Sequence, residues 1–494
     1  MGGTETTRES RLSDPRPILL VIGILLTTLG IAMLLPAAVD LSVGNTDWQV
    51  FLNSSLATTF IGVALWLANR GYRGDLNMQQ AFILTTLSWV ALVTFAALPF
   101  ALSPSMNMTY TDAFFEAMSG LTTTGSTVIV GLDQAPPGIL AWRALLQWLG
   151  GVGIIVMAIA VLPMLRIGGM QIFKLESSDT SEKILPRAQA IVGSIVALYV
   201  GLTAICAFSY WYFGMPFAHA VAHSMTTIAT GGFSTSDLSL GRWDLPGIQY
   251  TSVLFMVLAS LPFALYLQAL AGKPRVLWRD AQVRGFFMVV IIITAVLVTY
   301  LTVTNLLTGE AALRAAMFNG ISILTGTGYA THDYHAWGTF AVGIFFFTIF
   351  IGGCAGSTSC GIKIFRFQVI EAAARTHVQR IVHPHGVFTA RYNGRPVPGE
   401  VISSVMSFLF LFLSLFALMA VALSLLGLDS ITAWSASATA LANVGPGLGP
   451  VVGPAGSFES LPIAAKWILA GGMLLGRLEL FTVLVLFLPS FWRH

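Results

Sequence analysis

Long apolar runs separated by short polar segments dominate the sequence. A hydrocarbon core of about 30 Å needs about 20 apolar residues per helix, and ten runs approach or exceed that length. They cover residues 17–41, 48–71, 79–103, 138–165, 187–214, 247–272, 285–307, 337–351, 400–427 and 463–490. The first run is too long for the core of a signal peptide, so we interpret it as a retained helix. The pattern predicts an all-α polytopic membrane protein that begins with two N-terminal helices.

The last four helix pairs share a short segment between their two helices. The copies cover residues 112–125, 218–231, 315–328 and 434–447, and each ends in glycine. Each is too short to span a bilayer, and irregular backbone at membrane depth must be buried in protein or line a watery cavity. The copies predict four helix–pore helix–loop–helix repeats around a pseudo-fourfold pore. The corresponding domains are an N-terminal helix pair 1–73 and repeats 74–183, 184–279, 280–395 and 396–494.

The loops after the four predicted pore helices carry no charged side chain. Any ion selection there must therefore use backbone carbonyl dipoles, and glycine permits the dihedrals that turn carbonyls inward. The predicted filter residues are Thr123, Thr124, Gly125, Ala229, Thr230, Gly231, Gly326, Thr327, Gly328, Gly445, Pro446 and Gly447. The alternative is four ordinary glycine turns between packed helices, but four turns in register favour a filter.

Composition and charge agree with a membrane protein. Hydrophobic residues make up 55% of the chain and charged residues 10%, against roughly a quarter charged in soluble domains. This balance excludes a soluble enzyme and a nucleic-acid-binding protein, and the three cysteines form no disulfide framework. Alternating the loops leaves only Arg143, Arg242, Arg314 and Lys466 of the 25 Lys and Arg on one side. The positive-inside rule then predicts that both termini are cytoplasmic, with an acidic outer mouth that attracts cations.

Two of the loop segments carry a family resemblance. Asp112-Ala-Phe-Phe-Glu-Ala-Met-Ser-Gly-Leu-Thr-Thr-Thr-Gly125 and Asn443-Val-Gly-Pro-Gly-Leu-Gly449 resemble the first and last pore helix and filter of the Trk/Ktr/HKT superfamily of potassium transporters. The extra N-terminal helix pair and the turn at 176–187 are similar to its TrkH branch. The resemblance covers nearly the whole chain. It implies potassium uptake across a bacterial cytoplasmic membrane, and a glycine at the filter position of every repeat is associated there with potassium selectivity.

A glycine-rich interruption divides the second helix of the third repeat. Residues 352–361 contain four glycines and three hydroxyl side chains, which cannot hold a good helix. In the family this segment is an intramembrane loop that obstructs permeation, and an arginine at the position of Arg477 lies beneath the filter. The predicted gate residues are Gly352, Gly353, Gly356, Ser357, Thr358, Gly361 and Arg477, the last in the middle of the final long helix. The alternatives are a glycine kink at a helix crossing and a structural arginine bonded to loop carbonyls.

Two other pairs of polar residues are candidates for a site. Asp112 and Glu116 lie four residues apart on the first pore helix, and Glu116 could accept N–H groups of the filter loop. A solvated outer acid is the alternative. His219 and His223 have a spacing that could bind a metal, but no cysteine or carboxylate completes the set, so ordinary hydrogen-bonded histidines are favoured. No catalytic constellation is present, so we expect a transporter that carries K⁺ and holds no organic cofactor.

The segment 367–399 is basic and too polar to span a membrane. By the resemblance, such loops contact a cytosolic ring of nucleotide-binding regulatory subunits of the TrkA type, while two chains pair as a homodimer in the lipid bilayer. This chain has no nucleotide-binding fingerprint of its own. One alternative is a secondary transporter coupled to Na⁺ or H⁺, which would need inverted halves and buried acids. The other is a non-transporting scaffold, which would not need four matching loops.

Overall fold

The computed structural model describes residues 14–72, 76–160 and 184–492, with the side chains of 156–160 and 184–191 excluded. The described chain is almost entirely helical, as the sequence predicts. It divides into two compact units. The first unit contains Met1–Ala117, Ala135–Trp142 and Leu478–His494, and the second contains Met118–Gln134 and Arg143–Arg477. Most of the predicted turn at 176–187 lies outside the described residues.

Seven stretches in the described part are helical, long and apolar enough to cross a membrane, or nine if two interrupted pairs count as one span each. The seven are Arg16–Ser42, Trp48–Asn69, Met78–Leu102, Pro137–Ile155, Val192–Tyr212, Ala281–Val303 and Gly399–Leu425. The first consists of helices Arg16–Ala32 and Leu34–Ser42, the third of Met78–Ala96 and Leu98–Leu102. Pro137–Ile155 belongs to helix Pro137–Ala160, and Val192–Tyr212 to helix Ile184–Tyr212. A multi-pass membrane protein is therefore confirmed.

Two predicted continuous spans are broken, and in these the prediction is wrong. The run 247–272 forms helices Pro246–Ala259 and Phe263–Leu270, bent by 92° where Pro262 lacks a backbone N–H. The run 463–490 forms helix Ile463–Arg477, a break at Glu479 with φ 60°, and then Leu480–Leu484. Arg477 is therefore the last residue of its helix rather than a mid-helix residue, a position at which the helix dipole favours a cation.

Four short helices occupy the places predicted for pore helices, and we number them in chain order. They are Tyr110–Leu121, Phe217–Ile228, Gly309–Leu324 and Ser430–Ala442. Asp429 accepts the N–H of Thr432 at 3.1 Å and so caps the fourth. Hydrogen bonding with Thr432 holds the pKa of the Asp429 carboxyl below its usual value, so the cap remains charged at neutral pH.

The interrupted helix of the third repeat resumes below its glycine-rich segment. Helix Thr339–Phe350 is followed by an irregular loop, and helix Ile364–Val382 then extends well into the segment predicted as a basic loop. A small hairpin, Arg391–Tyr392 with Arg395–Pro396, follows. The other short elements are α-helices Arg275–Arg279 and Gly449–Val452 and 3₁₀ turns Leu132–Gln134, Ser239–Arg242, Tyr334–Trp337, Val485–Phe487 and Pro489–Trp492.

In the first unit the opening helix pair packs through small residues. A Cβ added to Gly62 would lie 2.6 Å from the backbone N of Thr27, so the two backbones are in close contact. The hydroxyl of Ser55 donates to the carbonyl of Gly30 at 2.6 Å. Small residues and interhelical hydrogen bonds are the usual means of helix association in a bilayer, where burial of apolar surface gives no advantage.

Candidate functional site

The four short helices end in the same turn. In each, a residue two or three positions after the helix donates its N–H to the carbonyl of a residue five positions earlier. The four bonds are Thr124 to Ser119 (2.8 Å), Gly231 to Thr226 (2.9 Å), Thr327 to Ser322 (2.9 Å) and Val444 to Thr439 (3.0 Å). This 6→1 hydrogen bond is the helix-ending Schellman pattern. It identifies equivalent residues in the four loops by geometry rather than by sequence.

The backbone after each short helix alternates in the same way. A residue with positive φ precedes the bonded residue, and a glycine with positive φ follows it. The pairs are Thr123 and Gly125 (52° and 91°), Thr230 and Gly232 (49° and 75°), Gly326 and Gly328 (73° and 80°), and Asn443 and Gly445 (53° and 105°). A non-glycine L-residue in this left-handed region is strained by roughly 1–2 kcal/mol, so the first, second and fourth loops, with Thr123, Thr230 and Asn443 there, have a costly conformation, whereas the third uses Gly326.

This equivalence corrects the sequence register of two loops. The predicted equivalents of Gly125 in the second and fourth repeats were Gly231 and Gly447, whereas the geometry places Gly232 and Gly445 there. The register was wrong because the helix-ending turn, not the first or last glycine of a segment, fixes the position. Ala229 is thereby moved to the position of Thr122, and Pro446 and Gly447 follow the repeated turn.

The four loops close into a ring. A Cβ added to Gly125 would lie 2.2 Å from the carbonyl oxygen of Gly231 in the second loop. The same contact links each loop to the next and the fourth loop back to the first. The corresponding distances, from an added Cβ to the carbonyl oxygen, are 1.8 Å for Gly232 and Thr327, 2.1 Å for Gly328 and Val444, and 2.8 Å for Gly445 and Thr124. We call the carbonyls of Thr124, Gly231, Thr327 and Val444 the carbonyl ring.

Hydrogen bonds tie the first and fourth loops together. The hydroxyl of Ser126 donates to the carbonyl of Gly445 at 2.7 Å. The side-chain amide of Asn443 donates both to the Thr124 hydroxyl at 2.9 Å and to the carbonyl of Met473 at 2.9 Å. All of these residues are buried or nearly so. Hydrogen bonds of this kind within a buried network hold the loop backbone in one conformation.

A cavity of about 560 Å³ adjoins the ring on the side of the chain that follows the glycines. Gly125, Gly232 and Gly328 line it together with Asp237, whose carboxylate accepts the N–H groups of Gly131 and Leu132 at 3.1 and 3.0 Å. The residues that precede these glycines, such as Thr123 and Thr325, contact the glycine-rich loop at 352–361 instead. The ring therefore separates this cavity from the glycine-rich loop.

The glycine-rich loop is closed at its neck by backbone hydrogen bonds. Gly352 donates its N–H to the carbonyl of Ile362 at 2.9 Å, and Ile362 donates to Phe350 at 3.0 Å. A Cβ on Gly352 would lie 1.8 Å from the carbonyl oxygen of Cys360. Gly361 has φ 73°, and the neck is therefore too tight for a larger residue at either position. The loop is a defined structure rather than a simple kink.

The loop body is held by the broken helix of the second repeat. Cys354 donates its N–H to the carbonyl of Ser260 at 3.0 Å, and Phe263 donates its N–H to the carbonyl of Gly356 at 3.0 Å. The hydroxyl of Thr358 donates to the carbonyl of Ala259 at 3.0 Å. The 92° bend at this point thus frees backbone groups that the loop satisfies.

The far end of the loop contacts the residues that precede the carbonyl ring. The hydroxyl of Ser359 donates to the carbonyl of Thr325 at 2.6 Å and accepts the N–H of Gly353 at 2.8 Å. The sulfur of Cys360 lies 3.7 Å from the Thr123 hydroxyl. The glycine-rich loop, which holds all the predicted gate residues except Arg477, therefore lies directly against the first and third of the four loops.

Arg477 joins this loop to the first repeat. Arg477 is 3% exposed, and its guanidinium donates to the sulfur of Cys360 at 2.7 Å, to the carbonyl of Gly150 at 2.9 Å and, at a longer 3.5 Å, to the carbonyl of Thr358. These contacts agree with the alternative of a structural arginine bonded to a loop carbonyl, and the role of Arg477 in a gate stays a prediction. A buried cation at this point raises the electrostatic energy of any other cation nearby.

The other predicted residues have local roles. Asp112 exchanges hydrogen bonds with Thr109 at the start of the first short helix, accepting its hydroxyl at 2.7 Å. Glu116 is fully buried, so the alternative of a solvated acid is wrong. His223 is buried. Its Nδ1 lies 2.8 Å from the carbonyl oxygen of His219, and its Nε2 lies 3.1 Å from the hydroxyl of Ser234. No group of three potential metal ligands occurs among the described residues.

The four bases assigned to the outer side all have partners. Arg242 pairs with Asp133, and Arg314 pairs with Asp244 and Glu310. The ammonium of Lys466 donates to the carbonyl of Glu459 at 2.7 Å. Arg143 is 1% exposed and donates to the carbonyl of Ser234 at 2.6 Å. None of the four is therefore a free charge on that face.

A single chain with four short helices, four matching loops and one closed carbonyl ring defines a class of pseudo-fourfold membrane proteins. The chain belongs to the TrkH family of cation transport proteins, whose family model matches residues 47–493. It is 44% identical over 97% of both chains to the Trk system potassium uptake protein TrkI of Halomonas elongata. It is 38% identical to the Trk system potassium uptake protein TrkH of Escherichia coli, over 97% of this chain and 99% of that one.

A solved structure gives the same result for the fold. The crystal structure of the potassium transporter TrkH from Vibrio parahaemolyticus superposes with a TM-score of 0.90 at 36% identity. The match covers 97% of this chain and 100% of that one. The fold class predicted from the sequence is confirmed.

Proposed function

We propose that this chain carries potassium ions across the cytoplasmic membrane of a bacterium as the ion-translocating, channel-like subunit of a Trk system. The relatives named as potassium uptake proteins match it over nearly their full length. The observation that carries the proposal is the carbonyl ring, because four neutral backbone oxygens can replace the hydration shell of a weakly hydrated monovalent cation. The five domains proposed from the sequence, 1–73, 74–183, 184–279, 280–395 and 396–494, place one loop in each of the four repeats.

In the proposed pathway the filter and the gate are in series. The filter consists of the three consecutive residues in each loop that the helix-ending turn makes equivalent. They are Thr123 to Gly125, Thr230 to Gly232, Gly326 to Gly328 and Asn443 to Gly445. The glycine-rich loop and Arg477 block permeation next to the filter until the loop moves. A cytosolic TrkA-like ring would move it through the basic segment 367–399, with both termini on the same side and two chains paired in the bilayer.

The proposal is tested by growth at low potassium of a bacterial host without its own potassium uptake systems. With the regulatory partner supplied, the chain is expected to restore growth, and the Gly232→Ala variant is not. Uptake of ⁸⁶Rb⁺ into proteoliposomes under a potassium gradient alone separates the channel-like mechanism from the symporter. If flux requires an added Na⁺ or H⁺ gradient, the coupled transporter is correct; if neither assay shows transport by protein present in the membrane, the proposal is wrong.

Replacing Ser359 by alanine is expected to increase basal flux. The variant loses the bonds from Ser359 to Thr325 and from Gly353 to Ser359, each worth about 0.5–1.5 kcal/mol. The closed loop should therefore open several times more often, since each 1.4 kcal/mol is a factor of ten. Single-channel recording or ⁸⁶Rb⁺ uptake, each without the regulatory partner, measures the change in basal flux. Ser357→Ala is the matched control, because that hydroxyl donates to Cys354 within the loop; an equal increase in both variants would contradict the link to the filter.

A further inference from the structure

Gln147 occupies a position that the proposed pathway does not explain. It lies on helix Pro137–Ala160, in the repeat before the second loop, and is fully buried. Its Nε2 donates to the carbonyl of Gly231 at 2.7 Å, and its Oε1 accepts the N–H of Phe233 at 3.0 Å. The orientation of the amide is fixed by this pair, because the Phe233 N–H can only donate. A donor is therefore held permanently against one oxygen of the carbonyl ring.

The other three oxygens of the ring are different. Within the residues that the structure describes, no side chain donates a hydrogen bond to the carbonyls of Thr124, Thr327 or Val444. In the first and third loops the residue of the ring is a threonine, and its hydroxyl bonds to the threonine two positions earlier. These pairs are Thr122 with Thr124 at 2.7 Å and Thr325 with Thr327 at 2.8 Å. Those two loops are held from within.

The second loop lacks both hydroxyls, since the equivalent residues are Ala229 and Gly231. The amide of Gln147 fills the space, because a Cβ on Gly231 would lie 2.5 Å from the Gln147 amide carbon. The departure from threonine in this loop is thus matched by a glutamine from another helix. This difference changes the chemistry as well as the packing. The paired threonine hydroxyls bond to each other and do not donate to the ring oxygen, whereas the Gln147 amide does.

From this geometry we infer that Gln147 is a positioning residue that determines cation specificity by weakening one of the four ring carbonyls. The inference rests on the proposed function. A fixed N–H beside the Gly231 oxygen opposes the field that an ion would feel there and restricts movement of the oxygen. A smaller cation such as Na⁺ costs more to dehydrate and needs stronger or more closely approaching oxygens than K⁺ or Rb⁺. Gln147 therefore favours the larger cations.

The test compares K⁺ and Na⁺ flux through the full chain in proteoliposomes. Gln147→Met and Gln147→Leu are neutral and apolar, and each removes both the donor to the Gly231 carbonyl and the acceptor for the Phe233 N–H. We expect the K⁺/Na⁺ flux ratio to fall roughly threefold to tenfold in each, the range of one lost hydrogen bond. Ser234→Ala is the matched control: it removes a hydroxyl that contacts His223 and accepts the N–H of Ser236 but does not bond to the ring, and its ratio should equal that of the wild type.

A combined variant separates the donor from simple packing. Ala229→Thr, Gly231→Thr and Gln147→Ala together reproduce the hydroxyl pair of the first and third loops, so the space remains filled without a donor on the ring. We expect this variant to fold, as judged by size exclusion and thermal melting, and to keep a lowered ratio. A wild-type ratio in the combined variant, or in both single variants, would overturn the inference while leaving the proposed function intact. A wild-type protein that carries no K⁺ would overturn the proposed function and the inference with it.

Discussion

Replacing Gly232 by alanine is expected to reduce potassium uptake by at least about tenfold, because the new methyl group cannot be placed without opening the carbonyl ring. Its Cβ would lie 1.8 Å from the Thr327 carbonyl oxygen, a backbone atom that cannot swing aside. The residue also has φ 75°, which adds roughly 1–2 kcal/mol of strain for an L-residue. Displacement of Thr327 would remove one of the four oxygens that coordinate the ion. Initial rates of ⁸⁶Rb⁺ uptake into cells, normalised to protein in the membrane, measure the loss.

Gly131→Ala is the matched control for this prediction. Gly131 also has positive φ, at 81°, but a Cβ there meets nothing within 4 Å. The control therefore carries the same backbone strain without the collision and should keep most of the uptake. Gly231→Ala is a second comparison, because its Cβ meets the side chain of Gln147 rather than backbone. If Gly232→Ala transports like Gly131→Ala, the ring is not the filter.

The place of most membrane spans was predictable because hydrocarbon imposes a simple length and polarity rule, although the described residues contain seven to nine such spans where ten were predicted. The same rule could not locate breaks within an apolar run. The bend before Phe263 is marked in the sequence by Pro262, because proline has no backbone N–H to continue the helix. The end of the last long helix at Arg477 has no comparable signal in the residues themselves. It depends on carbonyl acceptors supplied by Gly150 and Thr358 far away in sequence.

The existence of four loops was also predictable, but their register was not. Matching the segments by their glycines placed Gly231 and Gly447 at the position of Gly125, because the sequence offers two adjacent glycines in the second loop and three glycines in the fourth. In the second and fourth loops, the feature that sets the register is a residue other than glycine with positive φ. In the fourth loop Asn443 takes that conformation, which asparagine tolerates better than most residues, and this sets Gly445 two positions later.

Side chains that act across repeats were missed for a related reason. Gln147 is a polar residue in an apolar span, and such residues are rare enough to be examined as functional candidates. Its role depends on the second loop, which has Ala229 and Gly231 where the first loop has threonines. These two residues lie 82 and 84 positions after Gln147 in the sequence. Ser359 was likewise one hydroxyl among three in the glycine-rich segment. Only its contact with Thr325 distinguishes it from Ser357 and Thr358.

Replacing Arg477 by alanine is expected to raise basal ion flux by about tenfold or more in the absence of the regulatory partner. The variant removes the donors to Cys360 and Gly150 that hold the glycine-rich loop against the first repeat. Hydrogen bonds to a charged group are worth about 1.5–3 kcal/mol each, so losing even one shifts a closed-to-open equilibrium by a factor of ten or more. Removing the buried positive charge also lowers the barrier to a permeating cation. Single-channel recording gives the open probability and conductance separately.

The two effects of this substitution can be distinguished by a second variant. Arg477→Gln keeps hydrogen-bond donors without the charge, so it should raise conductance while changing the open probability less than alanine does. Lys466→Met, a buried cation 11 residues earlier on the same helix, is the control for loss of a charge near the helix start. Its ammonium donates to the Glu459 carbonyl outside the glycine-rich loop, so its basal flux should match the wild type. Equal flux from wild type and both Arg477 variants would mean that the arginine only stabilises the fold, and that the loop closes the pathway without it.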